Sequence, residues 1–167
     1  LVLLAAAHVA SAATLVRGPY LQLLTTHSVT VVWNTDVPAT CALDIGLPGA
    51  PPTTIPGNVA TTCAVAVEGL AVGTHYAYAP TADGVLLTPS TEFRTDDPSV
   101  ATTILAFGDS GTVSPEQTAI RDRMAMTPAD SILHAGDMVY DSGAPAEFDP
   151  TYFQPYAELL RRLMIWP

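Results

Sequence analysis

Lysine is absent from the 167-residue chain, so all six cations are arginines, set against 16 acidic side chains for a net charge of −10. That balance argues against a nucleic-acid partner, whose phosphates need a basic face, and against a polybasic membrane patch. Charged residues of either sign are scarce, at 13%, while 49% of residues are hydrophobic, which excludes intrinsic disorder. Two cysteines, Cys41 and Cys63, are too few for a disulfide-framed miniprotein or a four-ligand zinc ribbon. Whether they pair or stay reduced in a core is left open by the sequence. The apolar stretch at the amino terminus falls short of the ~20 residues that a membrane span needs. An initiator methionine and a basic leader segment are also missing. The chain opens on Leu1 and closes on the apolar Ile165-Trp166-Pro167, as expected of a piece cut at both ends.

Residues 1–13 run LVLLAAAHVASAA, with Ala10-Ser11-Ala12 fitting the small-x-small pattern of a cleavage site. The expectation is a partial signal peptide over residues 1–12 and a secreted or periplasmic protein, in which the two cysteines meet an oxidising compartment.

From about residue 15 to 97 the apolar period is two and turn residues are frequent. Segments 28–34, 40–45, 62–67, 74–78 and 91–94 carry the β-branched and aromatic residues of half-buried strands. Gly46 to Pro52 reads as a loop, because proline denies ladder donors and glycine admits positive φ. Strands at this spacing with no helical period between them predict an antiparallel sandwich. The stretch Leu70-Ala71-Val72-Gly73-Thr74-His75-Tyr76-Ala77-Tyr78 resembles the tyrosine corner of fibronectin type III domains, with Val72 where proline is usual. The resemblance implies that the Tyr76 hydroxyl bonds back to the preceding turn, and that Trp33 is the core tryptophan. His27 and His75, lone histidines on strands, read as solvated or core residues rather than ligands.

After Asp96-Asp97-Pro98-Ser99 the pattern changes. Residues 102–107 form a short apolar run, the mark of a strand buried on both faces, and end in Gly108-Asp109-Ser110-Gly111. Ser114-Pro115-Glu116-Gln117 is a helix start, with Ser as cap, Pro at the first helical position and Gln in the capping-box position. Ile120 and Met124 fall on one face of that helix. A second apolar strand, 131–135, leads into Gly136-Asp137-Met138-Val139-Tyr140, which makes a βαβ unit with parallel strands. Both strands thus deliver Gly-Asp at their carboxyl ends, the edge where open α/β sheets bind ligands. An Asp after Gly commonly caps a helix or forms a turn. Two such carboxylates at one edge, however, repel unless one is protonated or a cation sits between them. Tyr140 adds a third oxygen, and hard oxygen donors suit a hard cation such as Fe(III). Asp109, Asp137 and Tyr140 are therefore the candidate metal ligands. Asp149-Pro150 is expected to cap a final helix bearing Phe153, Tyr156, Leu160, Leu163 and Met164.

Taken together, Arg17-Gly18-Pro19-Tyr20-Leu21-Gln22, the Gly-Asp-x-Gly of residues 108–111 and the Gly-Asp-x-x-Tyr of residues 136–140 resemble the purple acid phosphatases. These are a branch of the calcineurin-like metallophosphoesterases. The resemblance implies a mixed fold, with a fibronectin type III-like domain over 15–97 and the first βαβ part of an α/β metallophosphoesterase domain over 98–167. It also implies a dinuclear centre of Fe(III) plus a divalent Zn, Mn or Fe. Asp109 and Tyr140 would lie on the ferric ion and Asp137 between the two metals. The implied reaction is hydrolysis of phosphate monoesters, on a phosphorylated small molecule or phosphoprotein, by in-line attack of a water nucleophile while both cations neutralise the developing charge. The family's later Gly-Asn-His and histidine motifs do not occur. His8, His27, His75 and His134 all lie outside such motifs. The substrate-facing histidine is thus expected beyond Pro167, and negligible turnover is expected of this polypeptide alone. The alternatives are a metallophosphodiesterase or nucleotidase, which Tyr140 disfavours, and a non-catalytic fibronectin-like binding module.

Overall fold

The computed structural model describes residues 12–167, so all of the expected leader except Ala12 lies outside the described residues. Six strands follow in order: β1 (Leu15–Gln22), β2 (Ser28–Gly46), β3 (Thr53–Glu68), β4 (His75–Ala82), β5 (Val85–Leu86) and β6 (Thr91–Arg94). All of their pairings are antiparallel. The long β2 and β3 each serve both layers of a sandwich. Residues 28–34 of β2 pair with β1 and with 62–68 of β3, whereas residues 39–46 pair with 53–60 of β3 and with β4. A register shift between Asn34 and Ala39, around Pro38, marks where the chain passes from one layer to the other. Two of the expected strands are therefore halves of one.

Residues 53–61 also belong to β3, although Pro56 and Gly57 interrupt their alternation. β3 pairs with β2 alone along its whole length, so it is an edge strand, the place in a sheet where proline and glycine are tolerated. The inward residues of both layers, Val29, Val31, Trp33, Cys41, Leu43, Cys63, Val65, Tyr78 and Phe93 among them, form one buried cluster. Cys41 and Cys63 are joined, with 22 residues of sequence separation, which in chain-entropy terms contributes about 3 kcal/mol. The Tyr76 hydroxyl accepts the Ala71 N–H at 2.9 Å, closing the tyrosine corner.

The second sheet is parallel and runs β7 (Ile104–Phe107), β8 (Ser131–His134), β9 (Met164–Trp166), with β8 central. Helix α1 (Pro115–Ala125) connects β7 to β8, and Ser114 caps it by accepting the Gln117 N–H. A broken helical segment connects β8 to β9: α2 (Pro145–Phe148), a π-turn at Asp149–Phe153 and α3 (Ala157–Leu160). Three expectations need correcting here. Ala144, not Asp149, precedes the helical start, so Asp149-Pro150 falls inside the segment and bends it into the wider π-turn. Met164 belongs to β9 rather than to the helix, and its side chain joins the sandwich core. β7 and β8 are not buried on both faces. Leu105, Ile132 and Ile165 pack beneath Met124, Tyr156, Leu159 and Leu160, but Ile104 is 57% exposed and Leu133 48% exposed on the opposite face. On α1, likewise, Met124 is buried while Ile120 is exposed.

Named side chains join the two sheets. Arg17 on β1 donates twice to the Asp149 carboxylate, at 2.5 and 2.8 Å, and its guanidinium lies 4.2 Å over the Phe153 ring. Asp149 raises the Arg17 pKa from its already high value, chiefly by hydrogen bonding. Tyr20 packs on Phe153, and the Tyr78 hydroxyl donates to the Arg161 carbonyl at 2.8 Å.

Candidate metal centre

Parallel strands β7 and β8 are in register from Ile104↔Ser131 to Phe107↔His134, so the chain leaves both at the same edge. The two Gly-Asp loops then knit together: the Asp109 N–H donates to the Gly136 carbonyl at 3.3 Å and the Ser110 N–H to the Asp137 carbonyl at 3.0 Å. Two glycines make this possible for different reasons. Gly136 sits at φ +105°, a conformation side chains rarely adopt. Gly111 is needed for close approach, since a Cβ there would come within 2.4 Å of the Val139 Cα and 2.6 Å of the Tyr140 nitrogen. Asp109 and Asp137 both occupy the left-handed region, at φ 52° and 55°, where a short polar side chain is tolerated.

The result is a convergence of three oxygens. The Tyr140 hydroxyl lies 2.7 Å from Asp109 Oδ1 and 2.6 Å from Asp137 Oδ2, with both carboxylates exposed to solvent. The three residues singled out from the sequence thus meet at one point. Donation to Asp137 first, and to Asp109 second, pushes the Tyr140 pKa well above its ordinary value, because both bonds favour the protonated phenol. That proton holds the place between two carboxylates where a cation would otherwise relieve their repulsion. The oxygen separations are close to the ~2.8–3.0 Å between neighbouring ligands of a small octahedral cation with ~2.0–2.1 Å bonds. The donor set therefore fits one hard cation, at three positions of its shell. Among the described residues no group of three or more His, Cys, Asp or Glu gathers to hold a metal, here or elsewhere; at this site the third oxygen is the Tyr140 phenol.

The remaining histidines are accounted for. His27 Nδ1 lies 2.9 Å from the Leu70 carbonyl in the sandwich, and His75 is exposed 4.0 Å from Glu92. His8 lies outside the described residues. His134 is buried at the end of β8, where desolvation lowers its pKa against a smaller raising effect of Asp137. Sequence reasoning missed Gln117. Instead of reaching back to Ser114 as a capping-box partner, its side chain accepts the Val113 N–H at 2.5 Å and donates to the Ser110 carbonyl and the Tyr156 hydroxyl. Its burial, at 7% exposure, is what marks it out, and that is visible only in the structure.

No protein-family model matches the chain, and no curated protein matches it. Among solved structures, PhoD is 12% identical with a TM-score of 0.63 over 88% of this chain, a span that takes in both sheets. The chain spans 37% of the length of that protein. The fibronectin type III domain of human fibronectin type III domain containing protein 3 is 16% identical, with a TM-score of 0.42 over 56% of this chain and 95% of that domain. The overall arrangement of a mostly β chain is thus one already seen in PhoD.

Proposed function

We propose that the chain carries the first part of a metal-dependent phosphoesterase of purple acid phosphatase type, a phosphoric monoester hydrolase. In this reading, residues 15–97 form its fibronectin type III-like domain and 98–167 open its α/β metallophosphoesterase domain. The observation that carries it is the convergence of the Asp109 and Asp137 carboxylates on the Tyr140 hydroxyl, at 2.7 and 2.6 Å, at the carboxyl edge of a parallel sheet. The likeness in fold to PhoD, a phosphoesterase, supports the class. Tyr140 supports the finer assignment, because a phenol is the donor that separates purple acid phosphatases from related phosphodiesterases.

Asp109, Asp137 and Tyr140 would hold Fe(III), and a divalent Zn, Mn or Fe would be the second cation of the pair. When bound, such cations supply a polarised water and neutralise charge developing on the phosphate. The chain's own part is to present the three oxygens, to give up the Tyr140 proton as the cation takes its place, and to keep the two loops in contact through Gly111. The substrate would be a phosphorylated small molecule or phosphoprotein outside the cytoplasm.

Titration with Fe(III) tests this directly. The expected result is a visible phenolate-to-iron absorption band, lost in Tyr140→Phe and strongly weakened in Asp137→Asn, with the far-ultraviolet spectrum unchanged. Equal iron uptake by the parent and both variants would overturn the reading. A phosphatase assay on this polypeptide with iron and zinc is expected to stay at background, and clear turnover would contradict the incomplete donor set.

A further inference from the structure

The carboxylates are exposed, but the groups directly beneath them are not. His134 is 1% exposed, Ser110 2% and Gln117 7%. The imidazole sits edge-on to Phe107, with centroids 4.4 Å apart, and to Tyr152 at 6.0 Å, so its plane is fixed by packing. The Gly136 N–H donates to Nδ1 at 3.3 Å, which makes Nδ1 the unprotonated nitrogen. Nε2 then carries the proton and donates it to Ser110 Oγ at 2.7 Å. One ring therefore grips the backbone beside Asp137 and the side chain beside Asp109. From the other side, Gln117 holds the Ser110 carbonyl and the Val113 N–H.

We infer that His134 is a positioning residue, a buried clip between the two Gly-Asp loops that sets the spacing of Asp109 and Asp137, with Ser110 as its hook. A serine beside a histidine also suggests a nucleophile, but an Oγ on a residue 2% exposed has no path to a substrate. Nor is the ring a ligand, since both of its nitrogens are engaged. The consequence for metal affinity rests on the metal-site reading above; the clip itself does not.

The test uses metal-free protein first. Amide hydrogen exchange at Asp109 and Ser110, whose N–H groups cross between the loops, is compared in the parent, His134→Phe, His134→Gln and Ser110→Ala. His134→Phe keeps the packing and removes both bonds, and Ser110→Ala removes one with almost no change in shape. Ser110→Ala is expected to speed exchange at these two amides roughly tenfold, about one buried hydrogen bond, and His134→Phe by more, while His134→Gln recovers much of the protection. If His134→Phe does not fold, Ser110→Ala alone decides. Unchanged exchange at both amides, or failure of His134→Gln to recover any protection, would sink the proposal. Titration with Mn2+ follows, with affinity expected to fall ~10–100-fold in His134→Phe. Faster exchange together with no Mn2+ binding by the parent would leave the clip standing and remove the metal-site reading instead.

Discussion

In the sandwich, inward residues of β2 and β4 meet those of the opposite layer, and the core closes over Trp33, Tyr78 and Phe93. In the parallel sheet, Ile132 and Ile165 are covered by helical segments, while Ile104, Leu133 and Trp166, on the other face of the same strands, stay exposed. Left-handed backbone occurs in both parts. Asp109, Val113 and Asp137 lie in the loops at one edge of the parallel sheet, and Leu23 and Asp83 lie in connections of the sandwich. The closed layer pair, stapled by Cys41–Cys63, is the stable element. The half-covered sheet carries two exposed carboxylates whose spacing depends on the rigidity of the loops beneath them.

Trp33→Ala is the harshest test of that division. Emptying the most central position of the sandwich should cost ~3–5 kcal/mol, read from the shift in the urea midpoint. The chain has two tryptophans, so Trp166 then becomes the single reporter and sits in the parallel sheet. Its fluorescence transition should shift with the far-ultraviolet one, because Met164 and Arg17 tie the sheets together. A Trp166 transition left at its original midpoint would mean that the parallel sheet does not depend on the sandwich.

Arg17→Ala sharpens the same comparison at the join. It removes two charge-assisted bonds to Asp149 and the contact with Phe153, at a side chain about three-quarters buried, so about 1–2 kcal/mol should be lost. The more telling readout is separation of the two transitions, with Trp166 melting before the bulk of the β signal. Coincident transitions in Arg17→Ala would show that Tyr78 and Met164 suffice as the join.

These contrasts explain what the sequence could disclose. Period-two alternation marks any strand with one wet face, so residues 28–34, 40–45 and 62–67 announced themselves. The first half of β3 did not, because Pro56 and Gly57 break its alternation while its place at the sheet edge tolerates them. The Gly-Asp pairs were legible because their chemistry needs particular residue types at a strand end. Gln117 and the His134–Ser110 contact were not, because a polar residue in a core carries no pattern until its partners are known. The apolar runs of β7 and β8 suggested cover on both faces. Hydrophobicity alone cannot tell a residue that is covered from one that merely resembles its covered neighbours.

That last ambiguity gives the smallest expected effect and the cleanest internal control. Ile132 and Leu133 are adjacent on β8, alike in size and hydrophobicity, and point to opposite faces at 0% and 48% exposure. Leu133→Ser removes a side chain that already meets water, so stability should stay within ~0.5 kcal/mol. Ile132→Ala, a gentler change chemically, empties a packed site beneath Leu160 and Tyr156 and should cost ~2–5 kcal/mol. Urea denaturation of the pair, side by side, reads the sheet's two faces separately. A loss above ~1 kcal/mol in Leu133→Ser would mean that this face is held by contacts in solution, and the contrast between a closed sandwich and a half-covered sheet would then fail.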